Sequence, residues 1–106
     1  MRPERRVEKK FIDWCKTRNI RQTKLQALAE NGFPDRTVWL PQVTLYIEFK
    51  AGPQSRLRPD QKRWVAWLRS QGHPVLVTHS FQEACTFVES FPRCTASAFM
   101  LKMFGE

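Results

Sequence analysis

From Val43 to Lys50 the chain alternates with a period of two. Leu45, Ile47 and Phe49 point one way, while Tyr46, Glu48 and Lys50 point the other. This is the signature of a β-strand, and it constrains the fold more than any other stretch, because one face is wholly apolar and the other carries an acid and a base. Glu48 and Lys50 sit about 6.6 Å apart along it, at roughly 3.3 Å per residue. Thr37 to Leu40 is a second short apolar run, separated from the first by Pro41, so the two read as an antiparallel hairpin. Ahead of the hairpin stands Gly32-Phe33-Pro34-Asp35, a turn in which Pro34 biases Phe33 toward extended backbone.

Helices account for most of the rest. Pro3 to about Thr17 places Val7, Phe11, Trp14 and Cys15 on one side, with Ile12 flanking. Glu8 falls inside that apolar stripe, between Cys15 and Ile12 in angle. A carboxylate there is costly unless it is paired or protonated, or reaches water at the stripe's edge. Pro59 suits a first helical turn and Gly72 a stop, which delimits a second helix. Its stripe is Trp64, Val65 and Leu68, with Trp67 beside it. Gln61 lies at the stripe's centre, where a polar amide needs a partner. Pro74 to Thr78 is a strand apolar on both faces. Ser80-Phe-Gln-Glu is a capping box that opens a third helix through Phe91, with Ala84, Cys85 and Val88 inward and Pro92 as the stop. Asn19 to Leu28 alternates only weakly, and reads either as a strand from Ile20 or as a loop with a helical turn over 27–31. The sum is an α/β domain of order αβββαβα, a small mixed β-sheet flanked by helices, and one domain spanning 1–106.

Composition narrows the function. Eighteen Lys and Arg against ten Asp and Glu give a net charge of +8, which suits a nucleic acid or another anionic surface. A solvated, self-repelling surface is the plainer account of the same charge. No apolar run nears the roughly 20 residues of a membrane span, and M-R-P-E-R-R lacks an apolar segment behind it, so a soluble cytoplasmic protein is expected. Cys15, Cys85 and Cys94 are an odd count without metal-ligand spacing, and read as reduced thiols. The residues after Pro92 include Ala98-Phe-Met-Leu and Met103-Phe104, so 92–106 is a candidate dimerisation tail.

Asp35 and Glu48, with water and a backbone carbonyl, would suit Mg²⁺, a hard cation that keeps several waters. Such an ion makes a nucleophile of bound water at neutral pH. A lysine beside it can orient that water or stabilise charge developing on phosphorus. An E-x-K on a strand is by itself more often a solvated face or an ion pair, and a P-D dipeptide is usually just a turn. The combination is more specific than either part.

The joint pattern resembles the virus-type replication-repair nuclease (VRR-NUC) domain, a branch of the PD-(D/E)XK nuclease superfamily. The resemblance rests on Glu8 within V-E-K-K-F, Gly32-Phe33-Pro34-Asp35, Glu48-Phe49-Lys50 followed by Ala51-Gly52, Leu57-Arg58-Pro59-Asp60-Gln61, and Gly72-His73-Pro74-Val75. Lys24 stands where members carry a lysine before the G-x-P-D turn. Arg58 departs from the usual serine, which removes a helix cap and adds positive charge. The resemblance implies a restriction-endonuclease-like core. It also implies a Mg²⁺ or Mn²⁺ site formed by Asp35, Glu48 and the Phe49 carbonyl, with Lys50 assisting the water and Glu8 (through water) and Gln61 completing the centre.

On this basis the expected activity is metal-dependent, structure-selective DNA cleavage. Stand-alone members of phage or bacterial type point to a homodimer resolving four-way (Holliday) junctions, with the tail and the Trp64–Trp67 helix as candidate interfaces. A nuclease for flaps or repair intermediates and a non-catalytic DNA-binding module are the alternatives. Arg56, Arg58, Lys62 and Arg63 are candidate phosphate contacts, joined by Arg36 and Lys24; a solvated face accounts for the first four equally well.

Overall fold

The computed structural model describes residues 1–25 and 31–92. Its elements follow the expected order: α1 (Pro3–Thr17), β1 (Arg21–Thr23), β2 (Arg36–Trp39), β3 (Thr44–Phe49), α2 (Pro59–Ser70), β4 (Val75–Thr78) and α3 (Phe81–Glu89). The strands form one mixed sheet in the order β1-β2-β3-β4. β1, β2 and β3 are antiparallel neighbours, and β4 joins β3 in parallel through the α2 crossover.

The period-two pattern of β3 sorts the molecule into three layers. Leu45, Ile47 and Phe49 are buried against a core that includes Phe11 and Cys15 of α1, Val38 of β2, and Ala84 and Val88 of α3. On the opposite face Tyr46 packs with Val65 and Leu68 of α2 and Val75 of β4. The helical stripes bury as their angles require: Phe11 and Cys15 in α1, Gln61, Val65 and Leu68 in α2, Ala84, Cys85 and Val88 in α3. Thr37 is also fully buried, and its Oγ1 finds no partner among the described residues; nothing in the fold explains why a hydroxyl is kept there.

Helix ends follow local chemistry. At the end of α1 the amides of Asn19 and Ile20 donate to the carbonyls of Lys16 and Cys15. This is a Schellman motif with Asn19 as its left-handed residue (φ 56°). The end of α2 repeats it with Gly72 (φ 86°), whose amide donates to Arg69 while that of His73 donates to Leu68. At α3 only half of the expected capping box forms. The Glu83 amide donates to Ser80 Oγ, but the Ser80 amide donates to Thr78 Oγ1 at 3.0 Å and not to the Glu83 side chain.

The segment after Asn19 resolves into a three-residue edge strand, shorter than the Ile20–Leu25 run. Residues 26–30, Cys94 and most of the apolar tail (93–106) lie outside the described residues, so the expectations for a helical turn and a dimerisation tail fall there. Cys15 and Cys85 are buried. Among the described residues no helix is long and apolar enough to cross a membrane.

Candidate active site

The register of the hairpin places the acids. The last β2–β3 pair is Arg36 with Ile47, so Asp35, one step further, comes opposite Glu48. Since β2 has ended there, the Phe49 amide has no strand partner on that side. Asp35 Oδ2 accepts it instead, at 2.8 Å. A side chain thus extends the ladder by one bond and is held fixed beside Glu48.

The turn before Asp35 is held by α2. Gly32 has φ 93°, and a Cβ there would lie 2.6 Å from the Asp60 carbonyl carbon and 2.8 Å from the Gln61 nitrogen. Glycine is required twice, for the left-handed backbone and for the close approach. Phe33 then meets Trp64 and Tyr46 edge to face, with ring centroids 4.9 and 5.7 Å apart. The first turn of α2 and the G-F-P-D turn therefore form one unit, and Gln61 projects from it toward β3.

Gln61 links the charged groups. Its Nε2 donates to Glu48 Oε2 at 2.9 Å, while its Oε1 accepts from Lys50 Nζ at 2.7 Å and from the Arg58 amide at 2.9 Å. Donors on one side and a carboxylate on the other leave the amide a single sensible orientation. Lys50 Nζ also lies 3.3 Å from Glu48 Oε2. The polar residue at the centre of the α2 stripe has the partner it needed. It also offsets the missing N-cap, because the Arg58 side chain has no acceptor and Gln61 itself receives the Arg58 amide. The Gln61 amide donates in turn to Asp60 Oδ1 at 2.9 Å.

Burial dominates the electrostatics. Glu48 is 3% exposed, and desolvation, followed by the charge of Asp35, pushes its pKa up to about 7 despite Lys50. Asp35 is raised as well, chiefly by burial, with the Phe49 amide as the main opposing influence. Two carboxylates both raised by burial, with Asp35 also raising Glu48 and Glu8 raising Asp35, are short of positive charge. Among the described residues no donor reaches Asp35 Oδ1 or Glu48 Oε1.

Glu8 belongs to a neighbouring arrangement. Arg36 shares the α1 face of the sheet with Ile47, and its Nε lies 2.7 Å from Glu8 Oε2, while a second guanidinium nitrogen donates to Gln22 Oε1 at 3.1 Å. The carboxylate in the α1 stripe is thus neutralised where it lies. Its charge still reaches Asp35 and raises that pKa. Among the described residues no three acids or other metal-ligating side chains converge, so the structure groups Asp35, Glu48, Lys50 and Gln61 closely and leaves Glu8 at their edge. Arg36, grouped by sequence with the phosphate contacts, is instead committed to Glu8 and Gln22, with 18% of its side chain exposed. Sequence reading missed this pairing, since it depends on the strand register and on the glutamine of an edge strand.

The other basic residues lie at the surface. Lys24 is exposed and close enough to lower the Asp35 pKa. Arg56, Lys62 and Arg63 are exposed, and Arg58, also exposed, pairs with Asp60 at 3.2 Å. Among the described residues none of these side chains donates a hydrogen bond to Asp35 or Glu48, although the charges of Lys24 and Arg58 act on Asp35 and Glu48 respectively.

Comparison with known proteins agrees with this geometry. The family model of the VRR-NUC domain matches residues 4–82. A solved structure described as a VRR_NUC domain superposes with a TM-score of 0.76 at 27% identity, covering 87% of this chain and 100% of the other. A second, described as a VRR_NUC domain protein, gives a TM-score of 0.70 at 18% identity over 81% and 84% of the two chains, a likeness of fold alone. No curated protein matches at a significant level. A VRR-NUC domain is a nuclease-type, DNA-processing domain, and the match spans the turn, the hairpin, α2 and β4. The chain belongs to the VRR-NUC domain family.

Proposed function

We propose that the protein is a divalent-metal-dependent endonuclease that hydrolyses phosphodiester bonds in branched DNA. The observation that carries this reading is the acid pair of buried Glu48, held by Gln61 and Lys50, and half-buried Asp35, held by the Phe49 amide, with exposed basic residues around it. The donor set fits Mg²⁺ or Mn²⁺. Among the described residues each carboxylate keeps one oxygen without a donor, burial raises the pKa of both, and the Phe49 carbonyl follows an amide already held by Asp35. Asp35, Glu48 and that carbonyl would hold the ion, with Glu8 acting through water. When bound, the ion supplies Lewis acidity and a water acidic enough to be a nucleophile at neutral pH.

The remaining roles fall to side chains. Gln61 holds the Glu48 carboxylate and the Lys50 ammonium through its two amide atoms, so neither must reorganise when substrate arrives. Lys50 would orient the attacking water and stabilise the charge that grows on the phosphate oxygens, a role supported by its ammonium lying 3.3 Å from Glu48 Oε2. Arg56, Arg58, Lys62 and Arg63 bring the backbone to the centre by charge.

The preferred substrate in this reading is a four-way junction, cut by a homodimer whose two-fold symmetry supplies two sites. Trp67, exposed beside the site, favours a second reading, a flap or repair intermediate with unpaired nucleotides. The test is a cleavage panel of four-way junction, flap, fork and duplex with Mn²⁺, together with the solution mass by sedimentation. Junction resolution predicts paired nicks and a dimer. A monomer that cuts flaps at least about tenfold faster than junctions would select the second reading. No cleavage of any substrate, with no Mn²⁺ uptake by calorimetry, would leave only a DNA-binding module.

A further inference from the structure

A cleft of about 730 Å³ opens along α2, lined by Asn31, Asp60, Arg63, Trp64 and Trp67. It borders the proposed nuclease centre directly. Asp60 precedes Gln61, and its backbone is the surface on which Gly32 packs. The two indoles stand one helical turn apart and meet edge to face, with centroids 6.0 Å apart at 87°. Trp64 is fixed from behind by Phe33 at 4.9 Å, whereas Trp67 is 54% exposed. A single exposed tryptophan is ordinary. One braced by a second indole, with an arginine, a carboxylate and an amide around it, is a built platform.

We propose that this cleft receives an unpaired nucleobase of the DNA strand engaged at the acidic centre, stacked on Trp67, with Arg63 on the adjoining phosphate and Asn31 and Asp60 facing the base edge. Every base offers a π-face to an indole, and such stacking tolerates any sequence. Asp60 uses Oδ1 for the Gln61 amide and Arg58, which leaves Oδ2 for a base amino group. The volume falls in the range of sites that hold small ligands. A second copy of the chain fits less well. Charged groups are depleted from interface cores, this cleft contains two, and two chains of +8 each would bring exposed Lys62 and Arg63 together. A stable interface also needs about 800 Å² from each partner, far more than one indole offers.

The proposal rests on the nuclease reading only for the presence of DNA. It is therefore tested by fluorescence anisotropy in EDTA, where no cutting occurs, with a flap DNA and a fully paired duplex as probes. Trp67→Ala should weaken flap binding about tenfold and leave duplex binding within about twofold, while Trp67→Phe restores most of the loss. Circular dichroism of both variants should match the parent. Equal losses on both probes, no loss on either, or conversion of a dimer to a monomer with affinities unchanged would overturn it. Wild-type protein that discriminates as expected but cuts nothing with Mn²⁺ would remove the nuclease reading and leave this one standing.

Discussion

At the scale of single residues, the consequential choice is Glu48, a carboxylate on the central part of the sheet with almost no exposure. Its pKa is near 7 in the folded chain against an ordinary value of 4.5, burial being the main cause and Asp35 the second. Linkage fixes the sign. An acid whose pKa rises on folding holds its proton more tightly when folded, so its contribution to stability is complete below pH 4.5 and is lost as pH rises through about 7. The metal-free protein should therefore lose about 1–3 kcal/mol on this account between those limits. Urea unfolding in EDTA at about pH 5 and about pH 8 measures it. Glu48→Gln should flatten that difference, and a variant profile parallel to the parent's would refute the assignment. If the proposed site is correct, added Mg²⁺ or Mn²⁺ should recover the stability lost at the higher pH, because a cation held by Asp35 and Glu48 would do the work of the proton.

At the scale of elements, the site depends on the G-F-P-D turn being clamped to α2. Gly32→Ala must place a Cβ against the Asp60 and Gln61 backbone at a left-handed φ, and neither neighbour is a flexible side chain. We expect a loss of about 2 kcal/mol or more, read as a lower urea midpoint, and lower activity through displaced Asp35 and Gln61. An Ala variant as stable as the parent would show that the turn and helix are not coupled.

Much at this scale was legible in the sequence. The two polar residues out of place on their helices, Glu8 and Gln61, each proved to need and to have a partner, and the β3 alternation separated the core from the charged face. Other features were not. Arg36 reads as surface charge until the register sets it opposite Ile47, on the face where Glu8 waits. Gly32 reads as turn punctuation, since no local signal reveals a helix 28 residues later pressing on it. β1 is a three-residue edge strand, too short to show a period. Ser80 announced a capping box, but the competing acceptor, Thr78, was visible only once β4 and α3 were joined.

At the scale of the whole molecule, three layers place the acidic centre where cover gives way to exposure. α2 packs on the β3–β4 half of its sheet face, while Trp39 of β2 and Arg21 of β1, on the same face by register, remain exposed. The centre lies near this border, with Lys24 on one side and the basic start of α2 on the other. A net charge of +8 then acts as an electrostatic guide for a polyanion, which weakens as salt is added. The family was readable from the order and spacing of its motifs. The preferred DNA structure was not, since no single motif encodes it and residues 93–106 lie outside the described fold.

The central claim is that Asp35, Glu48 and Lys50 form a metal-dependent hydrolytic centre. Its most direct measurement is the rate of cutting of a branched DNA by wild-type, Asp35→Ala and Lys50→Ala proteins, each with Mn²⁺ and with EDTA. The wild type should cut only when metal is present, and each variant should lose at least about 10³-fold in rate with DNA binding kept within a few fold. Cutting by Lys50→Ala at the wild-type rate, or wild-type cutting that persists in EDTA, would contradict it.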